Sequence, residues 1–222
     1  MTTAEKTIEE LRYEWAQHED STRQIRIYAL QKLSIYSAFV RGSNMDSFLK
    51  AILPASTLYR VVSEDKITAF HEALGNPSNN RIFADLIAPL EIFRPFEVRM
   101  FNAAIGGVAL HEAFVALEEY YEASKETRYS AYAEFYYRLS LLLEAGVPDY
   151  EAIKVIGEKD RILYELVEEM MPYVTPGKSL SQFFVDANFN DWETLIIKAA
   201  EHQGRQGEAL KKLANRYAKS NY

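Results

Sequence analysis

Residues 108–145 contain neither Gly nor Pro, and Leu, Ala, Glu and Tyr recur through them at helical spacing. With nothing to break a helix or free the backbone, such a stretch reads as α-helix. As one helix it is about 57 Å long at about 1.5 Å per residue. A break near residues 124–127 fits the pattern equally well. The same scarcity of punctuation holds elsewhere, with 9 Gly and 7 Pro in 222 residues, and strands are hard to place anywhere. The fold class expected is all-α.

The remaining punctuation sets helix boundaries. Thr2 with Glu5 forms a capping-box pattern, after which Ile8, Leu11 and Trp15 fall on one face of a short first helix. A second helix is expected after Ser21 and closes at Gly42, where Gly accepts the left-handed backbone of a helix end. Further helices are expected over residues 44–53, 56–74, 80–93 and 95–105, with Gly75, Gly106 and Gly107 as stops.

Composition excludes several classes. A net charge of -7 and a pI near 5.3 leave no dense basic stripe for a nucleic-acid backbone. Zero cysteines remove disulfides, thiolate zinc sites and cysteine nucleophiles. The first residues are charged and polar, without the apolar core of a signal peptide. No apolar run approaches the roughly 20 residues of a membrane span, the nearest being residues 103–110, so no membrane insertion by this chain is expected. None of His18, His71, His111 and His202 has a Glu three residues before it, which disfavours a di-iron bundle. No His-Glu-x-x-His, P-loop or Gly-x-Ser-x-Gly pattern appears. The chain is expected not to be an enzyme, and neither cofactor nor metal is expected.

An internal repeat organises what remains. Placing Leu49-Lys50-Ala51-Ile52 on Ile153-Lys154-Val155-Ile156 also places Gly42 on Gly146 (146 − 42 = 104 and 153 − 49 = 104). Later, Glu112-Ala113-Phe114, Leu117 and Tyr121 fall on Glu208-Ala209-Leu210, Leu213 and Tyr217 (208 − 112 = 96 and 217 − 121 = 96). The expected division is an N-terminal helical arm over residues 1–21, a first, degenerate repeat over 22–125 and a second over 126–222.

The second repeat carries three ordered motifs: Leu141-Leu142-Leu143-Glu144-Ala145-Gly146-Val147-Pro148, then Gly177-Lys178-Ser179-Leu180-Ser181, then Ala200-Glu201-His202-Gln203-Gly204 followed by Glu208, Leu210, Leu213, Ala214 and Tyr217. Together they resemble the F domain, the cytoplasmic helical module of inner-membrane platform proteins in type II secretion and type IV pilus machines. Ala200 stands where that family usually has Gly, and Gln206 where it usually has Leu. The first repeat lacks the Pro, and Ile105 replaces the Glu.

The resemblance implies two tandem F-like antiparallel helical bundles and a non-catalytic scaffold. It also implies the assembly ATPase and other pilus or secretion inner-membrane components as partners, self-association into a homo-oligomer, and a place at the cytoplasmic face of the inner membrane. Only the polar residues Ser124-Lys125-Glu126-Thr127-Arg128 sit where two membrane-spanning helices are expected of that family. The competing class is a soluble helical adaptor or regulator that shares the bundle and binds something unrelated to secretion.

Residue roles follow from position. Gly42, Gly146, Pro148 and Gly177 read as structural, because a Gly at a helix end and a Pro opening the next helix fix a tight αα corner. Glu201, Gly204 and Glu208, with Glu112 as the first-repeat equivalent, are the candidate partner-binding residues, since functional groups are often carried between rigid elements. The structural reading of Glu201 is that it caps the following helix, and that of Glu112 and Glu208 is that each sits in a first helical turn. Tyr120, Tyr121, Tyr129, Tyr132, Tyr136 and Tyr137 are expected mostly in the core, with any exposed one left as an interface residue. Glu118-Glu119 and Glu168-Glu169 read as solvated faces.

Overall fold

A computed structural model describes residues 7–39, 45–75, 83–104, 107–126 and 130–219, and among them every regular element is helical. The helices are α1 (Ile8–Phe39), α2 (Met45–Ile52), α3 (Ala55–Leu58), α4 (Glu64–Gly75), α5 (Phe83–Ile87), α6 (Pro95–Ala103), α7 (Gly107–Glu126), α8 (Ala131–Glu144), α9 (Asp149–Ile156), α10 (Tyr164–Met170), α11 (Leu180–Asp186), α12 (Asp191–Glu201) and α13 (Gln206–Lys219). Short 3-10 turns at Ala88–Leu90 and Met171–Tyr173 follow α5 and α10.

The first two helices expected from the sequence are one. α1 runs through Ser21 because the Ser21 and Thr22 hydroxyls donate back to the His18 carbonyl, at 2.9 and 2.7 Å, which lets both residues sit inside a helix. Thr2 and Glu5 lie outside the described residues. The box that opens α1 is Thr7 with Glu10: the Thr7 N–H donates to the Glu10 carboxylate at 2.8 Å and the Glu10 N–H donates to the Thr7 hydroxyl at 3.3 Å. The Gly-free stretch, conversely, divides into α7 and α8. Ser130 starts α8 by accepting the Ala133 N–H at 3.2 Å.

Two shorter differences have the same kind of cause. The helix expected over 56–74 is split into α3 and α4, with the Ser63 carbonyl accepting the Ile67 N–H at the start of α4. The one expected over 80–93 gives way at Pro89 to a 3-10 turn that Glu91 closes in the left-handed conformation, φ 53°.

Packing gives the two halves the same plan. α1 lies along α7, and α8 along α13; these are the two most extensive helix pairs. α5 packs on α6, and α11 on α12. The halves meet where α6 rests on α8 and α9 and α7 touches α8, so one continuous apolar core runs through both. α8 is therefore enclosed: every residue from Ala133 to Leu142 is buried. Tyr120, Tyr121, Tyr136 and Tyr137 belong to that core, whereas Tyr132 is 42% exposed and stacks on Tyr217 with ring centroids 5.7 Å apart. Tyr129 lies outside the described residues.

Candidate functional site

The three motifs of the second half meet at one corner. The first ends α8: Gly146 takes φ 87°, the Val147 N–H donates to the Leu142 carbonyl at 2.9 Å and the Gly146 N–H to the Leu143 carbonyl at 3.0 Å. That double closure is a Schellman motif, and extended Pro148 then turns the chain into α9. In the second, Pro176 and left-handed Gly177 (φ 82°) form the middle of a type II turn, closed by the Lys178 N–H donating to the Thr175 carbonyl at 3.2 Å. It delivers Ser179 to the start of α11, where the hydroxyl oxygen accepts the Gln182 N–H at 3.2 Å. The third closes α12 through Gly204 (φ 65°), with the Arg205 N–H donating to the Ala200 carbonyl at 2.9 Å and the Gly204 N–H to the Glu201 carbonyl at 3.1 Å. Asn188 (φ 56°) closes α11 in the same way, with the Phe189 N–H donating to the Phe184 carbonyl at 2.9 Å.

Glu201 joins two of these motifs. Its carboxylate accepts the Ser181 backbone N–H at 2.8 Å and the Ser181 hydroxyl at 2.5 Å. The negative charge thus sits at the N-terminus of α11, where free N–H groups favour it. The helix capped is the preceding α11, not the following α13, because the closed turn at Gly204 leaves the end of α12 beside α11. Asp149, the first residue of α9, lines the same cleft of about 600 Å³ with Ser179, Gln182, Lys198 and His202. Burial raises the Asp149 pKa, and the nearby Glu201 charge raises it further.

The other candidate residues are spread out. Glu208 lies in the first turn of α13, exposed, and binds Arg205 and, at 2.7 Å, Lys212. These cations hold its carboxyl below the usual range, Lys212 first. Glu112 is exposed in the second turn of α7, in the other half of the chain, rather than in a first turn. Gly42 lies outside the described residues. Gly207 is a contact residue: a Cβ there would lie 2.5 Å from Glu144 Cγ, so it sets how closely α13 approaches α8.

Sequence reasoning missed a buried polar clasp that occurs twice. In the first half Glu97, fully buried on α6, accepts the Arg94 backbone N–H at 2.7 Å and the Tyr121 hydroxyl. In the second, buried Glu193 on α12 accepts the Asn190 backbone N–H at 3.1 Å and the Tyr217 hydroxyl. The signal was present: Glu97 and Glu193 are separated by the offset that relates Tyr121 to Tyr217 (193 − 97 = 96). Burial raises the Tyr217 pKa to about 12, and the hydrogen bond to Glu193 adds to it. Burial likewise pushes Tyr121 well above its ordinary value, with Glu97 adding to the rise and Arg26 opposing it.

Around the first clasp lies a charge network. Buried Arg26 donates to the Ile92 carbonyl at 2.7 Å, to the Tyr121 hydroxyl at 2.8 Å and to both oxygens of Glu19 at 3.0 and 2.8 Å. Arg94 grips the same carboxylate at 2.9 and 2.6 Å. Burial alone would raise the Glu19 pKa, but the two guanidinium groups outweigh it and hold the carboxyl well below the usual range. A second buried cation, Arg138 on α8, pairs with Glu134 at 3.0 Å and Asp160 at 2.5 Å. A cleft of about 540 Å³ opens beside Glu19, between α1, α6 and the end of α9, with Trp15, His18, Arg99 and Lys159 in its wall. Among the described residues, no group of three His, Asp or Glu is placed to hold a metal ion, and no helix is long and apolar enough to cross a membrane.

Fold and corner together define an α-helical bundle protein whose motif residues act as helix caps and turns. Residues 135–221 match the family model described as Type II secretion system (T2SS), protein F. No curated protein and no solved structure matches the chain.

Proposed function

We propose that the protein is a non-catalytic scaffold in type IV pilus or type II secretion assembly. It acts at the cytoplasmic face of the inner membrane by docking the assembly ATPase and other machine components. The observation that carries this reading is the family match over residues 135–221, which begins within α8 and spans all three motifs of the capped corner. The repeated clasp supports extending it to two F-like units in tandem, since Glu97–Tyr121 and Glu193–Tyr217 join equivalent helices at the same offset. Like helix pairings, α1 with α7 and α8 with α13, support the same division.

The test is a binding assay between this chain and the purified assembly ATPase of its own cell, with the other platform components tested in turn. Saturable binding is the expected result. Charge reversal at Glu208, which is exposed and shares only surface ion pairs, is expected to weaken it without unfolding the chain. Absence of binding to every component, with retention of an unrelated partner from lysate, would favour the helical adaptor.

A further inference from the structure

Arg94 uses one edge of its guanidinium and leaves another free. Its Nε and Nη2 donate to the two oxygens of Glu19 at 2.9 and 2.6 Å, a side-on bidentate pair. Nη1, with its two N–H groups, has no hydrogen-bond partner among the described residues. With the second N–H of Nη2 it forms an end-on fork that also matches a carboxylate. An idle fork is ordinary on an arginine in open water. Arg94 is instead half-buried, its side chain 19% exposed, and stands in the wall of the cleft of about 540 Å³ beside Glu19.

Two further features mark that cleft as a built site. It opens where the halves of the chain meet, with α1 and α6 on one side and the end of α9 on the other, a common place for ligand sites. Its rim also carries backbone strain. Glu91 and Lys159, both at φ 53°, are paired there, the Lys159 ammonium donating to the Glu91 carboxylate at 3.3 Å. Among the described residues Asn188 is the one other non-glycine in the left-handed region, and asparagine tolerates that conformation better than glutamate or lysine. Residues strained in this way cluster at ligand clamps.

Charge and lining fix the class of ligand. Other cations of the wall are committed, Arg26 to Glu19, Arg99 to Glu151 and Lys159 to Glu91, so the spare fork of Arg94 matches one negative charge. The carboxylates of Glu14, Glu91 and Glu158 in the wall work against the second charge of a phosphate monoester. Trp15, Phe93, Val98 and Val155 supply apolar surface for the rest of the molecule. The fork is oriented in advance, because Arg26 holds Glu19 with two hydrogen bonds and Glu19 holds Arg94.

We propose that this cleft binds a small organic acid, with its single carboxylate on the free fork of Arg94 and its apolar or aromatic body against Trp15 and Val98.

Titration of the purified full chain with phenylbutyrate tests it. The readouts are the side-chain N–H signals of isotope-labelled arginine and, in a Trp192→Phe background that leaves Trp15 as the sole tryptophan, tryptophan emission. Saturable shifts in both are expected. Neutral phenylbutyramide and dianionic phenyl phosphate are each expected to bind at least about tenfold more weakly than the acid. Arg94→Lys keeps a cation beside Glu19 but has no fork, and is expected to lose at least about tenfold in affinity with its helicity by circular dichroism unchanged. Equal binding of acid and amide by the unmutated chain overturns the proposal, however the variant folds. So does the absence of any saturable shift, which would mean that water alone fills the fork. A blocked peptide ending in a free phenylalanine carboxylate is the last probe; if it binds and phenylbutyrate does not, a protein terminus replaces the small acid and the proposal falls. No secretion component enters the assay, so its outcome leaves the scaffold reading to its own binding test.

Discussion

Ser181 and Glu201 are locked together by two hydrogen bonds to one carboxylate, one from the Ser181 backbone and one from its side chain, across 20 residues of sequence. The pair ties the start of α11 to the end of α12, which are also packed against each other. Replacing Glu201 with Ala would leave the first turn of α11 without its acceptor, and a hydrogen bond to a charged group contributes about 1.5–3 kcal/mol net, less where water can replace the lost carboxylate, as at half-buried Glu201. A loss of about 2 kcal/mol in urea unfolding is expected for Glu201→Ala. Glu208→Ala, at a surface carboxylate paired with Arg205 and Lys212, is expected to leave the urea midpoint nearly unchanged. A partner-binding defect in Glu208→Ala can therefore be read as a surface effect, and one in Glu201→Ala cannot.

The doubled clasp makes a paired prediction. Tyr121→Phe and Tyr217→Phe each remove one hydroxyl from a buried glutamate and leave a carboxylate oxygen short of a donor. Each is expected to destabilise by about 1–3 kcal/mol. Tyr121→Phe also takes an acceptor from Arg26 but should be the milder, because Arg26 keeps the Ile92 carbonyl and Glu19 and lies 3.5 Å from the Glu97 carboxylate, whereas Glu193 has the Asn190 backbone and side chain as its other donors. Equal losses in chemical denaturation would show that Arg26 does not compensate.

Why some of this was legible and some not follows from the range of the interaction. Gly146 acts on its own neighbours, so the Gly stop and the Pro148 corner could be read from adjacent residues, whereas the turn at Gly177 and the cap at Ser179, equally local, emerged only with the structure. Ser21 misled for a local reason: a serine that can cap a helix can also bond back to the preceding turn, and only the fold selects between them. The target of Glu201 depends on where α11 lies, which no pattern near residue 201 encodes. Arg26, Glu19 and Arg94 come from α1 and the segment before α6, and their charges look like ordinary solvated residues until the helices close over them.

Gly157 gives a prediction about packing. Its backbone is right-handed, φ -88°, so Ala is conformationally acceptable there, yet a Cβ would fall 2.8 Å from Val167 Cβ. Gly157→Ala is expected to cost about 1–3 kcal/mol by overpacking. Val167→Ala alone is expected to cost about 2 kcal/mol, at the low end of losses for large-to-small core changes. Their combination should fall short of the sum, since the smaller residue at 167 makes room for the new methyl group. Strict additivity in a double-mutant cycle would mean that the helices move apart instead.

The carboxylates set opposing pH dependences. Glu19 and Asp160 are held below the ordinary range by arginines that outweigh the effect of burial, Arg26 and Arg94 for the first and chiefly Arg138 for the second. For a group whose folded pKa is depressed, the stability it supplies is present above its unfolded pKa of about 4 and is lost as pH falls through the folded value. Asp149 and Glu144 are raised, by burial first and then by neighbouring carboxylates, Glu201 beside Asp149 and Glu119 beside Glu144. Their contribution has the other sign: it is present below the unfolded pKa and is lost as pH rises through the folded one. Thermal melts are therefore expected to improve slightly on mild acidification from neutral pH and then to fall steeply below about pH 4. Glu19→Gln should cost about 3 kcal/mol at neutral pH, because it leaves buried Arg26 and half-buried Arg94 without their shared anion, and should flatten the acid limb. Asp149→Asn should do the reverse, raising the neutral-pH melting temperature and erasing part of the gain on mild acidification. Melts of the two variants from pH 3 to 8 separate the contributions, and an acid limb unchanged in Glu19→Gln would remove that network from the account.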